Sequence, residues 1–77
     1  MVGLNVAILR DHLAMADRHI ASGNRVIIRQ RQLITKLAAD GHDTREAVAL
    51  LARFEDLLAL HLGDRDRLFA ELKSAEA

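Results

Sequence analysis

Apolar residues recur along the first half of the chain in alternating steps of three and four residues. The series begins at Val6 and keeps this spacing to Leu37, with Gly23 and Gln30 at two of its positions. This spacing is the a and d pattern of a heptad repeat, which places the residues along one side of an α-helix. The pattern therefore predicts one helix over about residues 4–39, continuous through Gly23. The seam residues are Val6, Leu9, Leu13, Ala16, Ile20, Gly23, Ile27, Gln30, Ile34 and Leu37.

A second series with the same spacing predicts a second helix over about residues 44–73. Its regularity weakens near Gly63, but we expect the helix to continue through that residue. Between the helices, Gly41 suits a left-handed C-cap, and Asp43 precedes Glu46 by the three residues of a capping box. The second seam consists of Ala47, Leu51, Phe54, Leu58, His61, Arg65, Leu68 and Leu72.

The two helices are expected to form an all-α, antiparallel helical hairpin, because a connector of only a few residues leaves them no other arrangement. We predict a single domain over residues 1–77. Apolar residues flank both seams, and a lone hairpin of this size buries little surface. The hairpin is therefore predicted to dimerise into a four-helix bundle, with a heteromeric partner or a higher oligomer as alternatives. The predicted interface residues are Leu13, Ile20, Ile27, Ile34, Leu51, Phe54, Leu58, Leu68 and Phe69.

Composition excludes some classes of chemistry and favours a charged partner. The chain contains no Cys, which excludes disulfides, thiolate catalysis and Cys-type zinc sites. Its formal net charge is zero, but residues 18–39 carry five basic residues and no acidic one. A basic face is predicted from Arg18, Arg25, Arg29 and Lys36, and we expect it to meet an acidic protein. Nucleic-acid binding is an alternative, disfavoured because no aromatic residues for base stacking are interleaved with the basic ones.

The residues best suited to metal binding or pH sensing lie far apart in the sequence. If the chain turns near residues 41 and 42, positions whose numbers add to about 83 face each other. This register brings His19 close to His61 and Asp64, a set that fits a metal-binding or pH-sensing bundle. A histidine held in place by a carboxylate is the simpler interpretation. We therefore expect no bound metal and no cofactor, and keep the metal or pH-sensing bundle as an alternative function.

Enzymatic activity is not predicted. No hydroxyl residue has a base and an orienting acid in its sequence context, and the four glycines are isolated rather than grouped in a phosphate-binding loop. The run "HDTR" at His42 resembles part of the phosphoacceptor stretch of sensor histidine kinases, and this resemblance implies a phosphotransfer module as a third alternative. However, His42 is predicted to lie in the connector, and no proline follows it.

Targeting signals are not apparent in the sequence. The N-terminal run has no basic residues before its short apolar stretch, and no apolar stretch approaches the ~18 residues of a membrane span. We expect a cytoplasmic protein that does not bind membranes.

The run from Ala16 to Leu68 resembles a group of small, uncharacterised, all-helical bacterial proteins. The shared elements are "RHIA-G", "RQ--LI", "GHDT--A--LL--FE" and "H---RDRL". The resemblance implies a free-standing protein and brings no activity or catalytic residue with it. The sequence therefore predicts a non-enzymatic protein–protein interaction or regulatory module, an adaptor that acts as a homodimeric bundle.

Overall fold

The structure is a computed structural model that describes residues 2–77, with side chains described for all of these except Val2 and Leu4. It consists of two helices, α1 (Val2–Ala39) and α2 (Arg45–Glu76), packed against each other as a hairpin. The all-α prediction and the hairpin are confirmed. Both helices are continuous through their internal glycines, as predicted. α1 begins two residues earlier than predicted, and α2 begins one residue later and ends three residues later.

The connection between the helices begins with a Schellman motif. The Gly41 amide donates to the carbonyl of Ala38 (3.1 Å), and the His42 amide donates to the carbonyl of Leu37 (2.9 Å). Gly41 has a φ of 79°, which glycine adopts without the steric cost that a Cβ would impose. The predicted C-cap is therefore present, and it satisfies carbonyl groups that the end of α1 would otherwise leave free.

The start of α2 differs from the predicted capping box. Thr44, not Asp43, is the N-cap residue, and its side chain makes no capping hydrogen bond. Asp43 lies one residue earlier, where its Oδ1 accepts a hydrogen bond from the Arg45 amide at 3.0 Å. The prediction that Asp43 is the N-cap residue was wrong, but its carboxylate does accept from the first amide of α2, as an Asp side chain just outside a helix can.

The helices contact each other along the two seams. On α1, all ten seam residues are buried or half-buried, and the only other α1 residue with a described side chain that is not exposed is Val26. On α2, every seam residue except Arg65 is buried or half-buried. The heptad pattern thus marks the faces that the helices turn toward each other.

The contact of Gly23 with Leu58 lies two residues from the predicted register, and that of Gln30 with Ala47 lies six residues from it. A Cβ added at Gly23 would lie 3.3 Å from Cδ1 of Leu58, so the glycine admits the leucine into the seam. Gln30 is buried, and its Nε2 donates to the Ala47 carbonyl at 2.9 Å, which links α1 to the first turn of α2. Because a buried amide without a partner is costly, this hydrogen bond favours one axial position of the helices over neighbouring ones.

The hairpin is a thin rod. Its extents are 60 × 14 × 13 Å, and its radius of gyration is 17.5 Å, against about 11–12 Å for a globular domain of this length. Only five of the described residues are buried, namely Ala16, Ile27, Gln30, Leu68 and Leu72. Neither helix, over the part of the chain that the structure describes, has a segment long and apolar enough to cross a membrane.

Two glycines are expected to respond to alanine with opposite signs. At both Gly41 and Gly63 an added Cβ would meet nothing within 4 Å, so only the backbone conformation differs. Gly63→Ala should raise the free energy of unfolding by about 1 kcal/mol, because alanine favours the helix interior. Gly41→Ala should lower it by about 1 kcal/mol, because φ is positive there. Urea titration followed by circular dichroism measures both, and effects of equal sign would contradict this assignment.

Candidate functional site

The hairpin has two long sides that flank the seams. We call one the histidine side; it is defined by heptad-spaced residues of α1 (Asn5, His12, His19, Val26 and Leu33) and of α2 (Leu50, Leu57, Asp64 and Glu71). We call the opposite one the ion-pair side; it is defined by Arg10, Asp17, Asn24 and Arg31 on α1 and by Val48, Glu55, Leu62, Phe69 and Glu76 on α2. Because the two sides carry different chemistry, they are suited to different contacts.

Charged groups connect the helices along the ion-pair side. The Arg10 guanidinium lies 2.7 Å from the Glu76 carboxylate, and Arg31 lies 3.6 Å from Glu55. Arg65 donates from Nε to Asp17 at 2.7 Å, which explains why this seam position of α2 is exposed. Each such exposed pair contributes little to stability, about 0–1 kcal/mol. Together they cover this edge of the seam with groups that are hydrated.

The half of the histidine side near the chain termini holds the predicted polar cluster. The rings of His19 and His61 are in contact, with centroids 5.0 Å apart and planes inclined by 50°. They line a shallow cleft of about 190 Å³ that also includes His12, Asp64 and Arg67. The Asp64 carboxylate lies 3.6 Å from the Arg67 guanidinium on the next turn of α2. The structure therefore brings the two imidazoles together and pairs the carboxylate with an arginine.

The metal alternative can be compared with this arrangement. Across residues 2–77, no group of three or more His, Asp or Glu side chains is placed to hold one metal ion. Structural zinc sites use four protein ligands and catalytic ones three. The candidates His19, His61 and Asp64 line one cleft, but they do not form a three-ligand centre within one chain.

The half of the histidine side near the turn is apolar. Val26 is half-buried, and Leu33, Leu50 and Leu57 are exposed. The register places Leu33 opposite Leu50 and Val26 opposite Leu57, one heptad apart along each helix. We call these four residues the apolar patch. The apolar patch includes residues of both helices, and the sequence alone did not distinguish it from other flanking apolar residues.

The predicted interface residues lie mostly inside the hairpin. Eight of the nine are buried or half-buried on the faces that α1 and α2 turn toward each other: Leu13, Ile20, Ile27, Ile34, Leu51, Phe54, Leu58 and Leu68. The ninth, Phe69, is exposed on the ion-pair side, where the Lys73 ammonium lies 5.3 Å from its ring centroid. The seam residues thus hold the two helices of one chain together, and the residues that flank the seams are the more exposed ones.

The predicted basic face lies on the outer surface of α1. Arg18, Arg25, Arg29 and Lys36 are all exposed, and Arg25 donates to the Ser22 hydroxyl at 3.2 Å. Within residues 2–77, none of these four side chains lies within 4.0 Å of a carboxylate. Their positive charges are therefore available to a partner of opposite charge.

The connector contains one tightly paired set of charges. Arg45 donates to both carboxylate oxygens of Asp43, which lowers the pKa of Asp43 and raises that of Arg45. Because the pKa of Asp43 is depressed in the folded chain, its stabilising contribution is present at neutral pH. That contribution is lost as the pH falls through the depressed value. His42 lies in the same connector and is exposed, so the "HDTR" run forms a turn rather than a helix flank.

Comparisons with known proteins return no relative for this chain. No protein-family model matches it, and neither a curated protein sequence nor a solved structure does so. The resemblance to small all-helical bacterial proteins remains a prediction, and a function has to be argued from the geometry of the hairpin.

Proposed function

We propose that the chain is a non-enzymatic interaction module that works as a homodimeric four-helix bundle. The observation that supports this proposal is the excess of exposed surface. The accessible area is 5776 Å², whereas a folded monomer of this mass exposes about 4,700 Å². The excess of roughly 1,100 Å² is similar to the ~800 Å² that each partner buries in a standard protein–protein interface.

The type of exposed surface also supports self-association. Among the side chains that the structure describes, ten large apolar ones are exposed, and several of them, such as Leu57 and Leu60, are more than half exposed. A second copy covers such residues with equally apolar ones, which removes them from water at about 25 cal/mol per Å². A small hairpin gains more from this burial than a larger domain, because so little of its own surface is buried within one chain.

Thermal stability should depend on protein concentration if the dimer is the folded species. Mass action then raises the melting temperature as the chain is concentrated. We expect the midpoint of thermal unfolding, followed by circular dichroism at 222 nm, to rise steadily over a hundredfold increase in concentration. A midpoint that does not change over that range would show that folding does not involve a second copy.

We propose that the dimer acts in the cytoplasm as a regulatory or adaptor module that binds other proteins. The outward basic face offers Arg18, Arg25, Arg29 and Lys36 to an acidic partner, which electrostatic attraction would recruit. Affinity capture from native lysate, followed by mass spectrometry, should retrieve acidic proteins with the wild-type chain. The variant Arg25→Glu/Arg29→Glu should lose these proteins, while Arg53→Glu on α2 should keep them. Equal capture by all three chains would exclude the basic face as the binding surface.

Nucleic acid is the rival ligand for the same face, since phosphates also attract exposed arginines. Retention on DNA or RNA at low ionic strength, lost with added salt and in Arg25→Glu/Arg29→Glu, would replace the acidic-protein proposal.

The contact between His19 and His61 favours a second candidate function, the binding of a transition-metal ion. Imidazole nitrogens are good ligands for zinc, copper and nickel, and these two rings already lie together. If the pair binds zinc, addition of zinc should raise the melting temperature of the wild-type chain and of His42→Ala, but not that of His19→Ala. A melting temperature that zinc leaves unchanged in the wild-type chain would exclude this function.

A further inference from the structure

The apolar and polar groups of the histidine side are separated along the length of the rod. The apolar patch (Val26, Leu33, Leu50 and Leu57) occupies the half near the turn. The half near the chain termini carries His12, His19, Asp64 and Glu71 at the equivalent heptad positions. Because of this separation, the two ends of the histidine side differ. A second copy packed against this side therefore makes different contacts when its turn lies at the same end and when it lies at the opposite end.

The histidine side is also the better of the two sides for an interface. On the ion-pair side, the pairs Arg10–Glu76, Asp17–Arg65 and Arg31–Glu55 extend over the seam at intervals along the rod. The free energy needed to remove water from these ion pairs would exceed the free energy gained from their attraction in an interface. No ion pair connects the helices across the apolar patch in the part of the chain described by the structure, so its four aliphatic side chains are not covered by paired charges.

On the basis of the proposed homodimer, we infer that two copies pack histidine side against histidine side with their turns at the same end of the bundle. The two-fold axis then runs along the bundle, and residues at the same height meet. Leu33 packs against Leu50 of the partner subunit, so each apolar patch covers the other. In the opposite orientation, Leu50 and Leu57 would face the half of α2 of the partner subunit that carries Asp64 and Glu71. Leu33 would then meet the partner's Ile8, an exposed residue that lines the histidine side beside Asn5 and His12.

Charge favours the same orientation. With the turns at one end, α1 lies against α2 of the partner subunit, and all neighbouring helices are antiparallel. α1 carries six basic and two acidic residues, whereas α2 carries five basic and seven acidic ones. The opposite orientation, made by an axis across the bundle, places α1 against α1 and so brings two basic helices together. Electrostatic complementarity and apolar burial therefore both favour the packing of α1 against α2 of the partner subunit.

Disulfide trapping tests the orientation, because the chain has no cysteine of its own. Leu33→Cys and Leu50→Cys chains, one of them isotope-labelled, are mixed, unfolded, refolded together and mildly oxidised. Any disulfide between these two variants joins two chains. Leu33 lies about 19 Å from the middle of α1 at the ~1.5 Å rise per residue, so the opposite orientation would separate the two positions by roughly 38 Å. A disulfide requires Cα atoms within about 7 Å.

We expect the Leu33→Cys/Leu50→Cys mixture to give the mixed disulfide in high yield, and the mixture of Ile8→Cys with Leu33→Cys to give little. The reverse result would overturn the inferred orientation while leaving the homodimer intact, because Ile8 and Leu33 meet only when the turns lie at opposite ends. Preferential crosslinking of Leu62→Cys chains would place the interface on the ion-pair side. That result would also overturn the inferred packing of histidine side against histidine side. A monomeric mass for the wild-type chain would instead refute the proposed function itself.

Discussion

Replacing Ile27 by alanine should lower the free energy of unfolding by about 3 kcal/mol, since large-to-small changes in a core lose both burial and packing. Ile27 is only 5% exposed and is the most deeply buried aliphatic residue among those described. A chain of this length is expected to have a total stability of about 4–12 kcal/mol. The substitution should therefore remove a large part of it, as measured by urea unfolding followed by circular dichroism.

The adjacent Ile28 provides the matched control. It is 54% exposed, on the outside of α1 and away from the histidine side. Ile28→Ala should change the free energy of unfolding by no more than about 0.5 kcal/mol, because surface substitutions rarely do more. Equal losses in the two variants would mean that Ile27 does not lie in the contact between the helices.

Introducing glutamate at Leu57 should dissociate the proposed dimer. Leu57 is 52% exposed in the single chain and belongs to the apolar patch, so the charge is hydrated in the monomer and buried in the bundle. An unpaired buried charge costs several kcal/mol. We therefore expect the dimer dissociation constant to rise by about a hundredfold or more. Analytical ultracentrifugation of Leu57→Glu at concentrations where the wild-type chain is dimeric measures this change.

Leu62 is the control for this second experiment. It lies on the same helix with a similar exposure of 44%, but on the ion-pair side. Leu62→Glu should therefore leave the dimer intact. If Leu62→Glu dissociates the dimer and Leu57→Glu does not, the interface lies on the other side of the hairpin.

Much of the fold could be predicted from one repeating pattern. Residues spaced three and four apart, as from Val6 to Leu37, lie on one face of the chain when it forms a helix, and that face can be buried. The same holds for α2. The C-cap at Gly41 was predictable because few residues other than glycine tolerate a positive φ. Together these features define the turn, and the turn defines which residues of the two helices meet.

Other details depended on side-chain geometry that spacing does not reveal. Asp43 and Thr44 are both good cap residues, and sequence preference does not decide between neighbours. The hydrogen bond from Gln30 to the Ala47 carbonyl and the pairing of Asp17 with Arg65 depend on the reach of long side chains across the seam. For Arg65, a charged residue at a seam position was the available signal. We did not use this signal to predict an acidic partner on the facing helix.

The difference between the two sides of the hairpin was the feature hardest to predict from the sequence. Apolar residues flank the seams on both sides, for example Leu57 on one and Leu62 on the other. Only the positions of the cross-helix ion pairs show that one side is covered by charge and the other is open near the turn. The polar site is a similar case, because the register predicted that His19 would approach His61 but not that Asp64 would pair with Arg67.

Sedimentation equilibrium of the wild-type chain tests the central claim of self-association most directly. The chain mass is 8.6 kDa. We predict a single species of about twice that mass at micromolar concentrations, dissociating only on strong dilution. A mass that stays at that of one chain up to the highest soluble concentration would contradict the proposed dimer.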